Sequence, residues 1–465
     1  MPSPARLAAY HVLLAVERRR ADLPTALAEA RVRLADDRDR ALCAEIVTGT
    51  LRWQGQIDAL VTHFGHRPLG RLDPEVLAIL RLSSYQLLHL ERVPAAAATS
   101  EAVALVRHVR KASAAGFVNA VLRALARRRH ALPLPPPPDD NARARAAIDA
   151  AARAAALDYL SVTLSHPRWL VSRWLDRYGF DAGVRWATFN NTAAPLTLRA
   201  NTLKISAAEL AERLRAHGVR TTPTAFAPEG LRVAGGNPLR TPLADSGLFF
   251  VQDEASQLVA LMAAPTPGER VLDCCAAPGG KTTAMAAAMG DAGLIVAGDV
   301  RPRRLDLLRK TVALSGASRI RLVRFDVRRP LPVRRASFDL VLLDAPCSGL
   351  GTIRRDPEIR WRREEGDLAP LAAAQRVMIE HAAEAVRPGG RLVYATCSSE
   401  PEENEDVVAG FLDSHPSFTL VHPDRGQTPA ALRGVLDEQG RLRTSPAGHG
   451  LEAFFAAVLR RGLES

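Results

Sequence analysis

The stretch Arg270-Val-Leu-Asp-Cys-Cys-Ala-Ala-Pro-Gly-Gly-Lys281 reads as a short apolar strand that runs into a glycine loop and then a helix. Strand-like runs recur downstream at Gly293-Leu-Ile-Val-Ala297, Ile320-Arg-Leu-Val-Arg324, Phe338-Asp-Leu-Val-Leu-Leu343 and Arg391-Leu-Val-Tyr-Ala395, with a helix expected from Arg301. Strands alternating with helices predict a parallel, doubly wound α/β sheet. Ligands in such sheets bind beyond the carboxyl ends of the strands, so the chemistry is sought there.

Gly279 and Gly280 open a helix, which lets a ligand approach the backbone and offers unpaired N–H groups to an anion. A phosphate loop would need a glycine where Cys275 stands, and the dinucleotide pattern of three spaced glycines is missing. Asp299 ends the second strand, where a carboxylate accepts from ribose hydroxyls. Asp326 follows the third, where it would accept from an adenine amine. A lone Asp at a strand end is more often a turn residue. Two in register after a glycine loop point to an adenosine-bearing ligand without a phosphate, and S-adenosylmethionine fits.

The fourth strand ends in Asp344-Ala-Pro-Cys347 and a later one in Thr396-Cys397-Ser398. A cysteine in a globular core usually only packs. A thiol just past a strand end, beside Gly or Ser turns and with an Asp three residues ahead of Cys347, reads as reactive. Carbon 5 of cytosine is a poor nucleophile. Addition of a thiolate at carbon 6, with an acid at N3, makes carbon 5 enamine-like, and a base must then remove the carbon 5 proton so that the thiolate can leave. Cys347, Cys397 and Asp344 at adjacent strand ends are the equipment for that reaction, whereas methylation of an exocyclic amine needs no thiol. Cys43 and the Cys274/Cys275 pair are expected to pack or to line the pocket.

Outward from this core, 465 residues with 47% hydrophobic and 24% charged content exclude a wholly disordered chain and suggest several domains. The formal charge of +12 favours a polyanionic partner. Lys111, Lys204, Lys281 and Lys310 are nevertheless the only lysines, so genomic base composition also accounts for part of the arginine count. Five cysteines without zinc-finger spacing support neither a disulfide framework nor a zinc site. The first residues lack a signal-peptide pattern, and no run of about 18 apolar residues occurs. A cytoplasmic protein with no metal and no membrane segment is the expectation. Residues 1–130 read as an all-helical domain whose basic edge (Arg107, Arg110, Lys111, Arg123, Arg127–Arg129) is either RNA-facing or simply solvated. Residues 131–157 read as a Pro-rich linker with a helix over Asn141–Ala156. A small α+β subdomain is expected over 158–245 and the catalytic α/β domain over 246–465.

Leu272-Asp-Cys-Cys-Ala-Ala-Pro-Gly-Gly-Lys281-Thr, Leu343-Asp-Ala-Pro-Cys-Ser-Gly-Leu-Gly351, Tyr394-Ala-Thr-Cys-Ser398 and Glu400-Pro-Glu-Glu-Asn404-Glu together resemble the Sun/RsmB family of RNA cytosine-5 methyltransferases. Thr48-Gly-Thr-Leu-Arg-Trp53, Tyr85-Gln-Leu-Leu88, Phe117-Val-Asn-Ala-Val-Leu-Arg123 and His166-Pro-Arg-Trp169 are similar to its bacterial members, which act on small-subunit ribosomal RNA. The resemblance implies a Rossmann-like S-adenosylmethionine methyltransferase core behind a helical domain similar to the antitermination factor NusB. It implies that Cys397 is the nucleophile, that Cys347 assists release, and that Asp344 faces N3 of the base and the methyl end of the cofactor. Cys275, Ala276, Ala277, Pro278, Gly279, Gly280, Lys281, Asp299, Asp326 and Asp344 would hold S-adenosylmethionine. The product would be 5-methylcytidine in 16S ribosomal RNA, made by a monomer. One departure is Glu452-Ala453-Phe454-Phe455, where relatives commonly have Asp-Gly-Phe-Phe. Two other readings are a P-loop nucleotidase, disfavoured by Cys275, and a non-catalytic RNA-binding assembly protein.

Overall fold

The computed structural model describes residues 2–145, 149–422 and 429–463. The chain forms two compact units, Met1–Ala193 together with Ile353–Glu365, and Ala194–Thr352 together with Gly366–Ser465. Among the described residues no helix is long and apolar enough to cross a membrane.

The first unit is built from helices Pro4–Glu17, Leu23–Arg33, Asp37–Arg52, Gln54–Gly65, Pro74–His89, Ala95–His108 and Ala115–Arg128. Asp22 and Asp36 cap the second and third by accepting backbone N–H groups of the first turn. In the last, Val118, Val121, Leu122 and Leu125 are buried at the spacing of one helical face. Gly49 allows a close helix crossing, because a Cβ there would lie 1.9 Å from the Tyr85 ring. Leu132 and Leu134 of the Pro-rich stretch pack against this core, and the Pro135 carbonyl accepts from Thr163 Oγ1 at 2.7 Å. The expected linker helix occurs as Asp140–Arg145 and Ala150–Asp158, with 146–148 outside the described residues. Arg360 is fully buried here and donates to the carbonyls of Arg52, Ser165 and Asn190 and to Asn191 Oδ1, at 2.9–3.2 Å.

The second unit begins with a four-stranded antiparallel sheet of β1 (Thr197–Ala200), β2 (Arg220–Pro223), β3 (Gly230–Gly235) and β4 (Phe249–Val251), in the order β2-β3-β1-β4. Leu210 and Leu214 of helix Ala207–Ala216 are buried in its core, and Ser206 caps that helix. The larger sheet comprises β5 (Arg270–Asp273), β6 (Leu294–Asp299), β7 (Ile320–Arg324), β8 (Phe338–Asp344), β9 (Val386–Thr396), β10 (Phe418–Leu420), β11 (Leu442–Arg443) and β12 (Phe455–Arg461). Its order is β10-β12-β9-β8-β5-β6-β7, with β11 pairing on β12.

Strands β5 to β9 are mutually parallel, as the sequence predicts. The sheet as a whole is mixed, because β12 runs antiparallel between β9 and β10. The first five residues of β12 are buried. An antiparallel strand seated on β9 covers what would otherwise be an open edge of the parallel set. Order reverses between β5 and β8, so the loops after these two strands diverge and leave a crevice at the switch point.

Candidate active site

The loop Cys274–Gly279 leaves β5 and enters helix Gly280–Ala288. Gly279 has φ +109, and a Cβ on it would stand 2.9 Å from Leu308, so both conformation and space demand glycine. The Ala276 N–H donates to the Gly298 carbonyl at 2.9 Å, and Arg304 Nη2 donates to the Ala277 carbonyl at 2.8 Å. Burial drives the thiols of Cys274 and Cys275 well above their usual range, which keeps them protonated and inert.

Asp273 is buried at the end of β5. Its Oδ2 accepts from Thr282 at 2.7 Å; Oδ1 is buried without a well-aligned partner among the described residues, with the Cys275 backbone N–H also bearing on the carboxylate. Burial raises its pKa to about 7, against the opposing effect of the Thr282 hydrogen bond. An unpaired buried carboxylate oxygen fits a ligand that brings an ammonium group. A cavity of about 420 Å³ opens beside Cys275 and is lined also by Asp299, Val300, Phe325, Asp326 and Val327. The expected Asp299 and Asp326 therefore share one cavity. Asp299 is held by the Arg301 N–H at 3.1 Å. Asp326 is clasped by Arg328 at 2.7 and 3.0 Å, which holds its pKa below the usual value. Arg301, Arg304 and Arg328 also line the cavity, whereas Asp273, Gly279 and Gly280 are not among its lining residues; its carboxylate pair and apolar walls suit an adenosine.

Asp344 at the end of β8 accepts from Lys281 Nζ at 2.7 Å. Burial acts to lower the Lys281 ammonium, but Asp344 outweighs it and, with the charges of Cys397 and Asp273, holds it above its usual value. Asp344 pairs in register with Ala395 of β9. The two cysteines that follow these strands meet, with Cys347 Sγ 3.3 Å from Cys397 Sγ. None of the five cysteines is joined in a disulfide among the described residues. The hydrogen bond with Cys397 and burial push the Cys347 thiol far above its usual range. Cys347 thus keeps its proton, and the two sulfurs stand within hydrogen-bond reach of each other.

Backbone contacts fix the second thiol loop. The Gly351 N–H donates to the Cys397 carbonyl at 3.0 Å, and the Ala453 N–H to the Gly351 carbonyl at 3.0 Å. Ala453 lies outside the positive-φ residues, so the backbone at this departure from the family pattern does not require a glycine. Three residues of this site carry no role in the sequence reading. Asp273 looks there like any strand-end Asp. Arg199 is a single charge in the short strand β1; it is buried and donates to Gln252 Oε1 at 2.7 Å and Thr283 Oγ1 at 2.8 Å. Glu403 sits within the quoted Glu400–Glu405 run, where nothing distinguishes it from its neighbours.

Comparison with known proteins gives three family matches along the chain. Residues 3–127 match the NusB family, 166–240 match "Methyltr_RsmF/B-like, ferredoxin-like domain", and 260–460 match "16S rRNA methyltransferase RsmB/F". A probable ribosomal RNA small subunit methyltransferase B from Bacillus subtilis is 33% identical over 91% of each chain. A ribosomal RNA small subunit methyltransferase B from Pseudomonas syringae is 32% identical over 98% of this chain and 96% of its own. The solved crystal structure of PH0851 superposes with a TM-score of 0.79 at 28% identity, covering 99% of both chains.

Proposed function

Since the chain belongs to the 16S rRNA methyltransferase RsmB/F family, we propose that it transfers a methyl group from S-adenosylmethionine to carbon 5 of a cytidine in small-subunit ribosomal RNA. The observation that carries the choice of carbon 5 is the pair of sulfurs 3.3 Å apart beside the Lys281–Asp344 ion pair. An amine methyltransferase has no use for them.

In this reading Asp273, Asp299, Asp326 and the loop Cys275–Lys281 hold the cofactor, which when bound supplies an electrophilic methyl. Cys397, polarised by the Lys281 cation and by the Cys347 S–H, adds to carbon 6 of the cytosine. The Cys397 proton passes to the Asp344 carboxylate, which donates it to N3 as the electrons of the 5,6 double bond move to carbon 5. After methylation the carbon 5 proton is lost to a base and the carbon–sulfur bond breaks, restoring the double bond and expelling the Cys397 thiolate. Cys347, adjacent to that sulfur, is assigned to assist the release. The helical N-terminal domain binds the RNA, and the target nucleotide is unstacked to reach the strand-end pocket.

The test is a gel-stable complex with RNA carrying 5-fluorocytidine, formed by the wild type and two variants. Cys397→Ala should form no complex and methylate nothing. Cys347→Ala should leave a persistent adduct with ordinary cytidine RNA. The reverse pattern would exchange the two roles, and no adduct in any form would reject covalent catalysis.

A further inference from the structure

The loop after β8 and the loop after β9 must be held in register if two thiols on different loops are to act on one ring. The groups that hold them converge on one buried side chain. Glu403 ends a short turn, Pro401–Glu403, and is 0% exposed. Its Oε1 accepts from the Ser348 N–H at 2.8 Å and from Gln375 Nε2 at 3.0 Å. Its Oε2 accepts from Ser348 Oγ at 2.5 Å and Ser398 Oγ at 2.5 Å. Ser348 follows Cys347 directly and Ser398 follows Cys397 directly.

Other contacts aim the carboxylate. Tyr394 OH donates to the Glu403 carbonyl at 2.6 Å, which ties the turn to β9. Gln375, on helix Leu368–Ala385, also donates to the Pro346 carbonyl at 3.0 Å, one residue before Cys347. Asn404 accepts from Thr396 Oγ1 and donates to the Ser398 carbonyl at 3.0 Å. Four donors from three elements thus meet two oxygens: the Ser348 N–H and the Gln375 amide require an acceptor at Oε1, and both serine hydroxyls turn their protons to the charged Oε2. Hydrogen bonds to a buried carboxylate are among the stronger and more geometrically demanding ones.

We propose that Glu403 is a positioning residue: by accepting from Ser348 and Ser398 at once, its carboxylate locks the Cys347 loop against the Cys397 loop and sets the separation of the two sulfurs. Glu403 touches neither sulfur and performs no step itself. The proposal rests on the assignment of these thiols to the reaction, so its test includes a measurement independent of methylation.

The informative variant is Glu403→Gln, which keeps the volume and the acceptor for the Ser348 N–H and the Gln375 amide but replaces the charged oxygen that accepts from Ser348 Oγ and Ser398 Oγ by an NH2 that cannot accept. In the full-length protein, diamide oxidises the two thiols to a disulfide and is itself reduced to the hydrazine. Peptide mapping reads the rate at the 347–397 pair. Wild-type protein should form this bond readily, because the sulfurs need only close from 3.3 Å to about 2.05 Å. Glu403→Gln should form it at least about tenfold more slowly. It should also lose about 100-fold in kcat, as expected for a misplacement near 1 Å, while KM for S-adenosylmethionine and for RNA stays within about twofold. Ser348→Ala and Ser398→Ala each remove one link and should show the same pattern more weakly; they carry the test if Glu403→Gln does not fold. An unchanged disulfide rate in the folded variants overturns the proposal. A slowed disulfide in an enzyme that makes no 5-methylcytidine upholds the lock and rejects the function assigned to it.

Discussion

Asp273 carries a proton whose affinity differs between the folded and unfolded chain. Burial raises the folded-state pKa to about 7, against about 3.9 unfolded. A raised folded pKa means that the folded state binds the proton more tightly. The stability this residue contributes is therefore full below about pH 4 and is lost as pH rises toward 7. In ligand-free protein the Tm difference between Asp273→Asn and wild type should grow in the variant's favour from pH 5 to pH 8, read by thermal melts. A ligand ammonium favours the charged carboxylate, so wild-type affinity for S-adenosylhomocysteine should rise as pH passes 7. Asp273→Asn should lose that slope in calorimetry; a flat wild-type profile from pH 6 to pH 8 would contradict the pairing. Asp344, Cys347 and Cys397 were legible because the strand-end rule and thiol chemistry both single them out. Asp273, Arg199 and Glu403 were not, because their roles depend on burial and on partners up to 84 positions away, as in the Arg199–Thr283 hydrogen bond.

Among elements, local periodicity was the readable part. Val118, Val121, Leu122 and Leu125 give away their helix, and the apolar runs at 270–273, 320–324 and 338–343 give away parallel strands whose observed bounds differ by at most a residue. What local pattern could not reveal is partner choice. β12 is an apolar run like the others, and only its antiparallel pairing from Phe455↔Thr396 to Arg460↔Arg391 identifies it as the strand that covers β9. That pairing brings Ala453 to Gly351 and so braces both thiol loops from outside the parallel set. Gly351 has no room for a side chain, since a Cβ would lie 1.9 Å from the Ala453 carbonyl oxygen and 2.8 Å from that of Cys397. Gly351→Ala should cost about 1–3 kcal/mol of stability through overpacking. It should also reduce methyl transfer about 100-fold by spreading the loops, with S-adenosylhomocysteine affinity unchanged. Urea melts and single-turnover methylation measure the two effects separately.

At the scale of the molecule, the segment Ile353–Glu365 belongs to the helical unit although it lies between Thr352 and Gly366 of the α/β unit. No local pattern announces this exchange. Glu358 accepts from the Leu23 N–H at 2.8 Å, Trp361 Nε1 donates to the Leu51 carbonyl at 2.6 Å, and Arg360 fills the buried acceptor cluster around Ser165 and Asn190. Residues 1–193 alone would leave those acceptors bare, at about 1–3 kcal/mol for each buried group. For about 200 residues each lost kcal/mol lowers Tm by about 2–4 °C, so this fragment should melt well below the same fragment supplied with peptide 353–365 in trans. The same contacts make deletion of residues 1–130 a poor probe of RNA binding, since it would strip Glu358, Arg360 and Trp361 of partners as well as removing charge. Surface arginines give a cleaner one. Arg107, Arg123 and Arg127 line a groove of about 650 Å³ between helices Ala95–His108 and Ala115–Arg128. If this is where the phosphate backbone lies, replacing all three by Glu leaves the helical core untouched and removes three counterion-releasing contacts. The slope of log K against log salt should then shrink by about 2–3, from about 0.7–0.9 per phosphate contact. RNA affinity should fall while S-adenosylhomocysteine binding stays at the wild-type value. Filter binding of small-subunit RNA fragments across a salt series measures it, and an unchanged slope would assign the groove to solvent and the RNA contact to another face.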